Sequence, residues 1–279
     1  MCKFFKRKAK IEPEPTDTLG YLTRFYSTRC DEDARLASQH GQVEFLTTMR
    51  YIERYLQPGM RVFEIGAGTG RYSITLAHKG YDVTAIELVQ HNIDIFRKKL
   101  EPGDRIDLQQ GNALDLSRFE DNSFDMTLLL GPMYHLYTPE DQTRALEEAL
   151  RVTRPGGHLY VAYCICDLTL HTEGFVKGNV DHFITEHMMD TETFRCYSSP
   201  KELFNICRKE DVDALTAPLP CKRLHYVATD GLYDYMHDAI DRMTPARFEL
   251  YMKYRYAICE REDLVGATNH SLDILQKSP

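Results

Sequence analysis

The chain has 279 residues, 43% of them hydrophobic, and a formal net charge of -8. That length suits one large domain, or a core domain with a lid. Its acidic balance, with acids spread along the chain, argues against nucleic acid as a partner. No apolar run is long enough to span a membrane, and none of signal-peptide length follows the start. Eight cysteines stand at positions 2, 30, 164, 166, 196, 207, 221 and 259. None forms a CxxC pair or a compact disulfide framework, so they read as reduced thiols of a cytoplasmic protein, mostly packed in the core. Nothing in the sequence sets the oligomeric state.

The first ten residues carry Lys3, Lys6, Arg7, Lys8 and Lys10, and Ile11-Glu12-Pro13-Glu14-Pro15 reads as an extended linker. Residues 1–20 are expected to be a flexible basic tail and linker, and 21–279 the folded domain. Tyr21 to Arg29 reads as a short helix or an ordered arm. From about Asp31 the pattern turns helical, with Val43, Leu46, Met49, Ile52 and Leu56 on one stripe, until Pro58-Gly59 ends it.

The stretch Val62 to Ser73 organises the rest of the chain. A β-type run leads into Gly66, Gly68 and Gly70, and a helical pattern succeeds them: strand, tight turn, helix. Glycine tolerates positive φ, and without a side chain it lets a ligand lie on the backbone. The spacing is Glu-x-Gly-x-Gly-x-Gly, not the GxGxxG of dinucleotide sites. An acid, Glu64, precedes the first glycine, where a pyrophosphate would want none. A ligand with a positive centre and an ammonium group fits better, and S-adenosylmethionine (SAM) has both.

Here the chain resembles the class I methyltransferases that use SAM, over about Gly59 to Tyr163. The resemblance implies an α/β fold: a Rossmann-like, seven-stranded, mostly parallel sheet with helices on both faces, and an N-terminal helix over the cofactor cleft. Arg35 and His40 would then have a route to the site, although a solvated Arg and a helix-surface His are the plainer reading. Strand one is Arg61 to Ile65, and its helix stops at Lys79-Gly80. Strand two, Asp82 to Glu87, ends on an acid about 20 residues past the glycine turn. That position reaches ribose hydroxyls in doubly wound folds. A helix covers His91 to Leu100, and strand three about Arg105 to Gln109. In the turn Gly111 to Asp115, the resemblance implies that Asn112 meets the adenine amino group and the next backbone N–H a ring nitrogen; the alternative for Asn112 is a plain Asx turn. Cofactor contacts are thus expected from Glu64, Gly66, Ala67, Gly68 and Gly70, from Glu87 and Leu88, from Asn112 and Ala113, and from Leu130.

Strand four, Phe124 to Leu130, is apolar enough to be central. Thr138-Pro139-Glu140-Asp141 opens the next helix with an N-cap, a first-turn proline and first-turn acids. Arg154-Pro155-Gly156-Gly157 turns into strand five, His158 to Tyr163. Residues 164–220 are too long for a structureless loop and are expected to form an inserted helical lid, with an amphipathic helix over Pro200 to Asp211. Strand six is Arg223 to Ala228. Helices are expected over Gly231 to Met243 and Pro245 to Glu260, and a last strand over Ser271 to Leu275. By the resemblance, the last two strands make an antiparallel edge.

Ligands in open α/β sheets bind at the carboxyl ends of the strands, which puts Tyr134, His135 and Tyr137 near the reacting centre. His135 is the best proton acceptor by type and position, with structural packing as the alternative; Tyr134 is the second catalytic candidate, or a pocket wall. Gly131-Pro132-Met133-Tyr134 keeps one proline and the aromatic of the motif that exocyclic-amine DNA methyltransferases carry there, but lacks their polar residue. The lid contains Asp181-His182 and Glu186-His187, which do not match HExxH, so no metal is expected. His182 and Glu186 are placed on one helix face over the acceptor, with His135 below and Tyr137 as a further acceptor contact.

The function expected is SAM-dependent methyl transfer to a small-molecule acceptor through an O, N or S nucleophile. The rivals are a SAM-binding regulatory or scaffold protein without catalysis, and a nicotinamide-dependent oxidoreductase, against which Glu64 and the glycine spacing count.

Overall fold

The computed structural model describes residues 15–28, 38–232 and 236–279. The basic tail, most of its linker, the expected helix start near Asp31, Arg35, Cys2 and Cys30 lie outside the described residues.

Two helices lead in: α1 (Thr18–Thr28) and α2 (Gln39–Tyr55). Then come β1 (Arg61–Ile65), α3 (Arg71–His78), β2 (Asp82–Glu87), α4 (Gln90–Lys99) and β3 (Ile106–Gln110). β4 (Phe124–Leu129), a 3₁₀ turn (Pro132–His135), α5 (Pro139–Val152) and β5 (Thr153–Ile165) come next. The segment after β5 holds α6 (Cys166–Thr169), a π-helical stretch (Leu170–Val176), α7 (Val180–Thr185), the two-residue β6 (Ile206–Cys207) and α8 (Lys209–Thr216). β7 (Cys221–Ala228), α9 (His237–Asp241), α10 (Pro245–Ile258) and β8 (His270–Lys277) complete the order.

The sheet runs β3-β2-β1-β4-β5-β8-β7, with β6 beside the end of β5. β8 is antiparallel to both β5 and β7; all other pairings are parallel. The seven expected strands are all present, and β6 makes an eighth. Strand alternation loads both faces. Phe63, Ile65, Leu129 and Val161 pack with Ala145, Leu146 and Ala149 of α5. Val62, Met126, Leu128 and Tyr160 pack on the other side with Met49 and Ile52 of α2 and Leu76 of α3. Each large apolar side chain fully buried this way contributes about 1.5–3 kcal/mol. α5 starts as its sequence dictates: the Thr138 hydroxyl accepts from Asp141 N–H, and Pro139 fills the first turn.

Three expectations need correction. No helix covers Pro200 to Asp211: Leu203 adopts φ +70, Ile206–Cys207 pair with β5, and helix begins only at Lys209. Contacts to β5 and to the turn after β4 override the amphipathic pattern: Ile206–Cys207 pair with β5, and the Leu203 carbonyl accepts from both His135 and Tyr137. Between Gly231 and Met243 the described helix is only His237–Asp241, and residues 233–235 lie outside the described set. The Pro-Gly-Gly turn is absorbed into β5, which starts at Thr153 and has a register shift opposite Phe124–Met126.

Candidate active site

The carboxyl ends of β1, β2 and β4 open on a cavity of about 940 Å³. Its floor is the glycine turn. Gly66 and Ala67 N–H both donate to the Ile86 carbonyl, at 2.8 and 2.9 Å, which fastens the turn to β2. Gly66, Gly68 and Gly70 have φ of +75, +54 and +89. A Cβ on Gly66 would meet Pro132 at 2.7 Å and one on Gly70 would meet the Phe96 ring at 2.4 Å, whereas one on Gly68 would meet nothing within 4 Å. Gly68 is therefore the glycine over which a ligand can lie. Gly70 does not line the cavity; its missing side chain makes room for α4.

Two buried carboxylates flank this turn. Glu87 accepts from Gly68 N–H at 2.8 Å, Val89 N–H at 2.9 Å and Asn92 Nδ2 at 3.3 Å. Burial raises its pKa against the pull of these donors. Glu64 takes the Ser73 hydroxyl as a donor. Burial pushes it up to about 7; the Ser73 hydrogen bonds oppose this, and the nearby Glu87 adds to it. Both acids line the cavity, with Ala67 and Leu88 beside them. Farther along sit Asn112, Ala113 and Leu130. Asn112 does make the Asx turn, its Oδ1 accepting from Leu114 N–H at 3.0 Å, and it borders the cavity as well.

The far half of the cavity is walled by aromatic rings. Phe25 and Tyr26 come from α1, Tyr134 and His135 from the turn after β4, and Phe204 from the segment after β5. Phe25 and Phe204 meet edge to face at 5.7 Å, so α1 and that segment touch across the opening. His135 is fixed at both nitrogens. Nδ1 is 2.7 Å from the Leu203 carbonyl, which can only accept, so Nδ1 carries the proton. Nε2, 3.0 Å from the Tyr26 hydroxyl, is then the accepting nitrogen. Burial lowers the His135 pKa, and the Leu203 bond recovers only part of this, so the ring is neutral at neutral pH. Tyr137 also lines the cavity while donating to Leu203 O at 2.7 Å.

His182 and Glu186 are not part of this cavity. Both are exposed, and Glu186 pairs with Lys201 at 3.1 Å. α7 has no buried residue, so nothing draws its polar face inward. The segment contributes Thr169, Thr172, Glu173, Phe204 and Ile206 instead. His40, too, is elsewhere, bonded to Asp241 at 2.7 Å and stacked on His237.

Sequence reasoning missed Tyr26, Phe204 and a second histidine. His270 begins β8 opposite Cys164 at the end of β5 and lines the cavity. Its Nδ1 is 2.7 Å from Oδ2 of the fully buried Asp230 and 3.9 Å from Oε2 of Glu44 on α2. Because β8 is antiparallel, its amino end lies where its neighbours' carboxyl ends lie. A search restricted to carboxyl ends passes over it.

A family model described as "Methyltransferase domain" matches residues 63–161. A demethylmenaquinone methyltransferase of Clavibacter sepedonicus is 32% identical over 126 residues, which is 45% of this chain and 48% of that protein. A ubiquinone biosynthesis O-methyltransferase of Methylocella silvestris is 29% identical over 64% of this chain and 68% of that one. The match thus spans about half the length of the first of these relatives. Among solved structures, magnesium protoporphyrin IX methyltransferase of Synechocystis, with S-adenosylhomocysteine (SAH) bound, aligns with a TM-score of 0.58 at 14% identity. That alignment covers 94% of this chain and all of that one, and at such identity it speaks for the fold. Fold, glycine turn, strand-end acid and family match agree: residues 63–161 match the methyltransferase domain, and the chain has the fold of the SAM-dependent methyltransferases.

Proposed function

We propose that this protein transfers the methyl group of SAM to a small-molecule acceptor through an O, N or S nucleophile. The observation that carries this is one cavity with two unlike halves: an acid-flanked glycine turn at one end and an aromatic chamber at the other. Bound SAM would supply an electrophilic methyl group and a thioether leaving group.

The chain's own residues hold and align. Glu87 is offered to the ribose hydroxyls, with Leu88 beside it. Asn112 and Ala113 face the adenine, and Leu130 lies under the cofactor. Gly66, Ala67 and Gly68 let the amino acid tail approach the backbone, and Glu64 balances its positive charge. Tyr134 and Tyr137 bound the acceptor. His135 takes a proton where the nucleophile must lose one, through the Tyr26 hydroxyl that its Nε2 already accepts. Alignment and exclusion of water are the protein's main contributions to such a displacement, and the 164–220 segment closing against α1 serves both as a lid. The test is transfer of a labelled methyl group from SAM across a panel of small O, N and S nucleophiles. Labelled product supports the reading; SAH binding with no transfer to any acceptor class favours a regulatory, non-catalytic protein.

A further inference from the structure

Two cysteines meet where the chain leaves the sheet. Cys166 begins α6 directly after β5 and is 1% exposed. Its thiol donates to the Phe194 carbonyl at 3.9 Å. Cys196, two residues beyond Phe194, is partly exposed, and both its thiol and its backbone N–H bond to the Cys166 sulfur. Each partner is held in place. Residues 188–197 form a small antiparallel hairpin: Met189 bridges Cys196, Asp190 N–H donates to Arg195 O at 2.9 Å, and Tyr197 N–H donates to Met188 O at 2.8 Å. The Asp190 carboxylate closes the turn by accepting from Glu192 N–H at 3.0 Å and Thr193 N–H at 2.6 Å. Arg208, just after β6, fastens the hairpin to α6. Its Nη2 donates to the Thr193 and Phe194 carbonyls at 3.2 and 3.0 Å, and its Nε to Asp167 Oδ1 at 3.1 Å.

Other cysteines are set differently. The Cys207 thiol donates to the Cys164 carbonyl at 3.5 Å and the Cys259 thiol to the Tyr256 carbonyl at 3.6 Å. Burial raises the pKa of Cys207, Cys221 and Cys259. In the pair, the hydrogen bond from the Cys196 thiol lowers the Cys166 pKa; burial opposes this, and the Arg208 charge supports it. The first proton therefore leaves the two thiols readily, and the second is shared between the sulfurs.

We propose that Cys166 and Cys196 are a modification site for hydrogen peroxide, which oxidises the pair reversibly to a disulfide that fastens the 188–197 hairpin to α6. This chemistry is independent of methyl transfer. The proton shared by the two sulfurs can move to Cys166, which leaves the thiolate on the partly exposed Cys196. That thiolate attacks one peroxide oxygen, the O–O bond breaks, and hydroxide leaves and takes up a proton to become water. The product is a sulfenic acid on Cys196. The Cys166 sulfur then attacks the Cys196 sulfur, the S–O bond breaks, and the hydroxide leaves with the Cys166 proton as a second water. The two thiols lose two electrons and the peroxide gains them. The bond would brace one wall of the cavity, because Cys164, Thr169 and Thr172 on either side of Cys166 line it.

The test treats the full chain with equimolar hydrogen peroxide, blocks the remaining thiols and maps the peptides by mass. The expected product has lost two hydrogens, yields a peptide pair linked through Cys166 and Cys196, and returns to its starting mass with dithiothreitol. Amide hydrogen exchange across residues 188–197 should slow by about tenfold in the oxidised form, because the bond suppresses local opening of the hairpin. Cys196→Ser should abolish the linked peptide, and Cys221→Ser should leave it. The proposal is overturned by a sulfinic or sulfonic acid on Cys196 without the link, by a disulfide from either cysteine to a third, or by no oxidation of the pair. It is overturned equally by loss of the link in Cys221→Ser, or by a link that leaves hairpin exchange unchanged.

Discussion

The Tyr26 hydroxyl lies 3.0 Å from Nε2 of His135, and through this contact helix α1 reports on the turn that ends β4. The same ring holds the Leu203 carbonyl at 2.7 Å, so one imidazole ties α1, the sheet and the segment between β5 and β7. If this contact is also the proton path, Tyr26→Phe and His135→Ala should each lower turnover, by about 10²-fold for loss of a general base. The double variant should be little worse than either single one, because both remove the same path. SAH affinity should stay nearly constant, since neither residue lies on the glycine-turn side. Additive losses, or losses confined to SAH binding, would assign the pair a purely structural role.

Glu87 has a double duty that its strand-end position conceals. It satisfies Gly68 N–H and Val89 N–H as well as facing the cavity. Glu87→Gln puts an amide NH₂ against one of these donors. We expect a loss of about 1–3 kcal/mol in stability from the group left unpaired. SAH affinity should fall by about one to two orders of magnitude. Denaturant melts and calorimetry read the two effects separately, and unchanged SAH affinity in a folded variant would move the ribose elsewhere.

Glu64 should give SAM binding a pH dependence. Burial holds its pKa at about 7 without ligand. A cationic ligand favours the carboxylate, so the pKa is lower in the complex than in the free protein. Binding then releases a proton below neutral pH, and SAM affinity rises with pH up to about 7 and is flat above it. Glu64→Gln should flatten the profile. Affinity that falls as pH rises through this window would place the positive charge of SAM away from Glu64.

Gly70 tests the packing of the turn apart from ligand contact. Its φ is +89 and an added Cβ meets the Phe96 ring at 2.4 Å. Gly70→Ala should cost about 1–3 kcal/mol from overpacking, beyond the left-handed backbone penalty. Gly68→Ala, with open space above it, should spare the fold more and weaken SAH binding more. The reverse order in thermal melts and titrations would mean that the two glycines have exchanged roles.

Much of the fold and of the glycine-turn end of the cavity was legible in the sequence because local signals and tertiary structure agree. β1 and β2 fall where the apolar runs lie, and α5 begins at its Thr-Pro cap. The glycine spacing located the turn, and its offset to Glu87 located the acid beside it. The features that were not legible depend on long-range contact. The pattern over Pro200 to Asp211 is helical, yet Leu203 turns its carbonyl to His135 and the chain pairs with β5. His182 and Glu186 stand four apart, but α7 ends at Thr185, and spacing alone does not say which way a short helix turns its polar face. Asp230 and His270 are 40 residues apart, and only the antiparallel return of β8 brings them together at 2.7 Å.

The most direct measurement is a crystal structure with SAH bound. We expect ribose hydroxyls within hydrogen-bonding reach of Glu87, adenine beside Asn112 and Ala113, and the sulfur facing the chamber formed by Tyr26, Tyr134, His135 and His270. SAH bound outside this cavity, or with its sulfur turned away from that chamber, would contradict the proposed function at its centre.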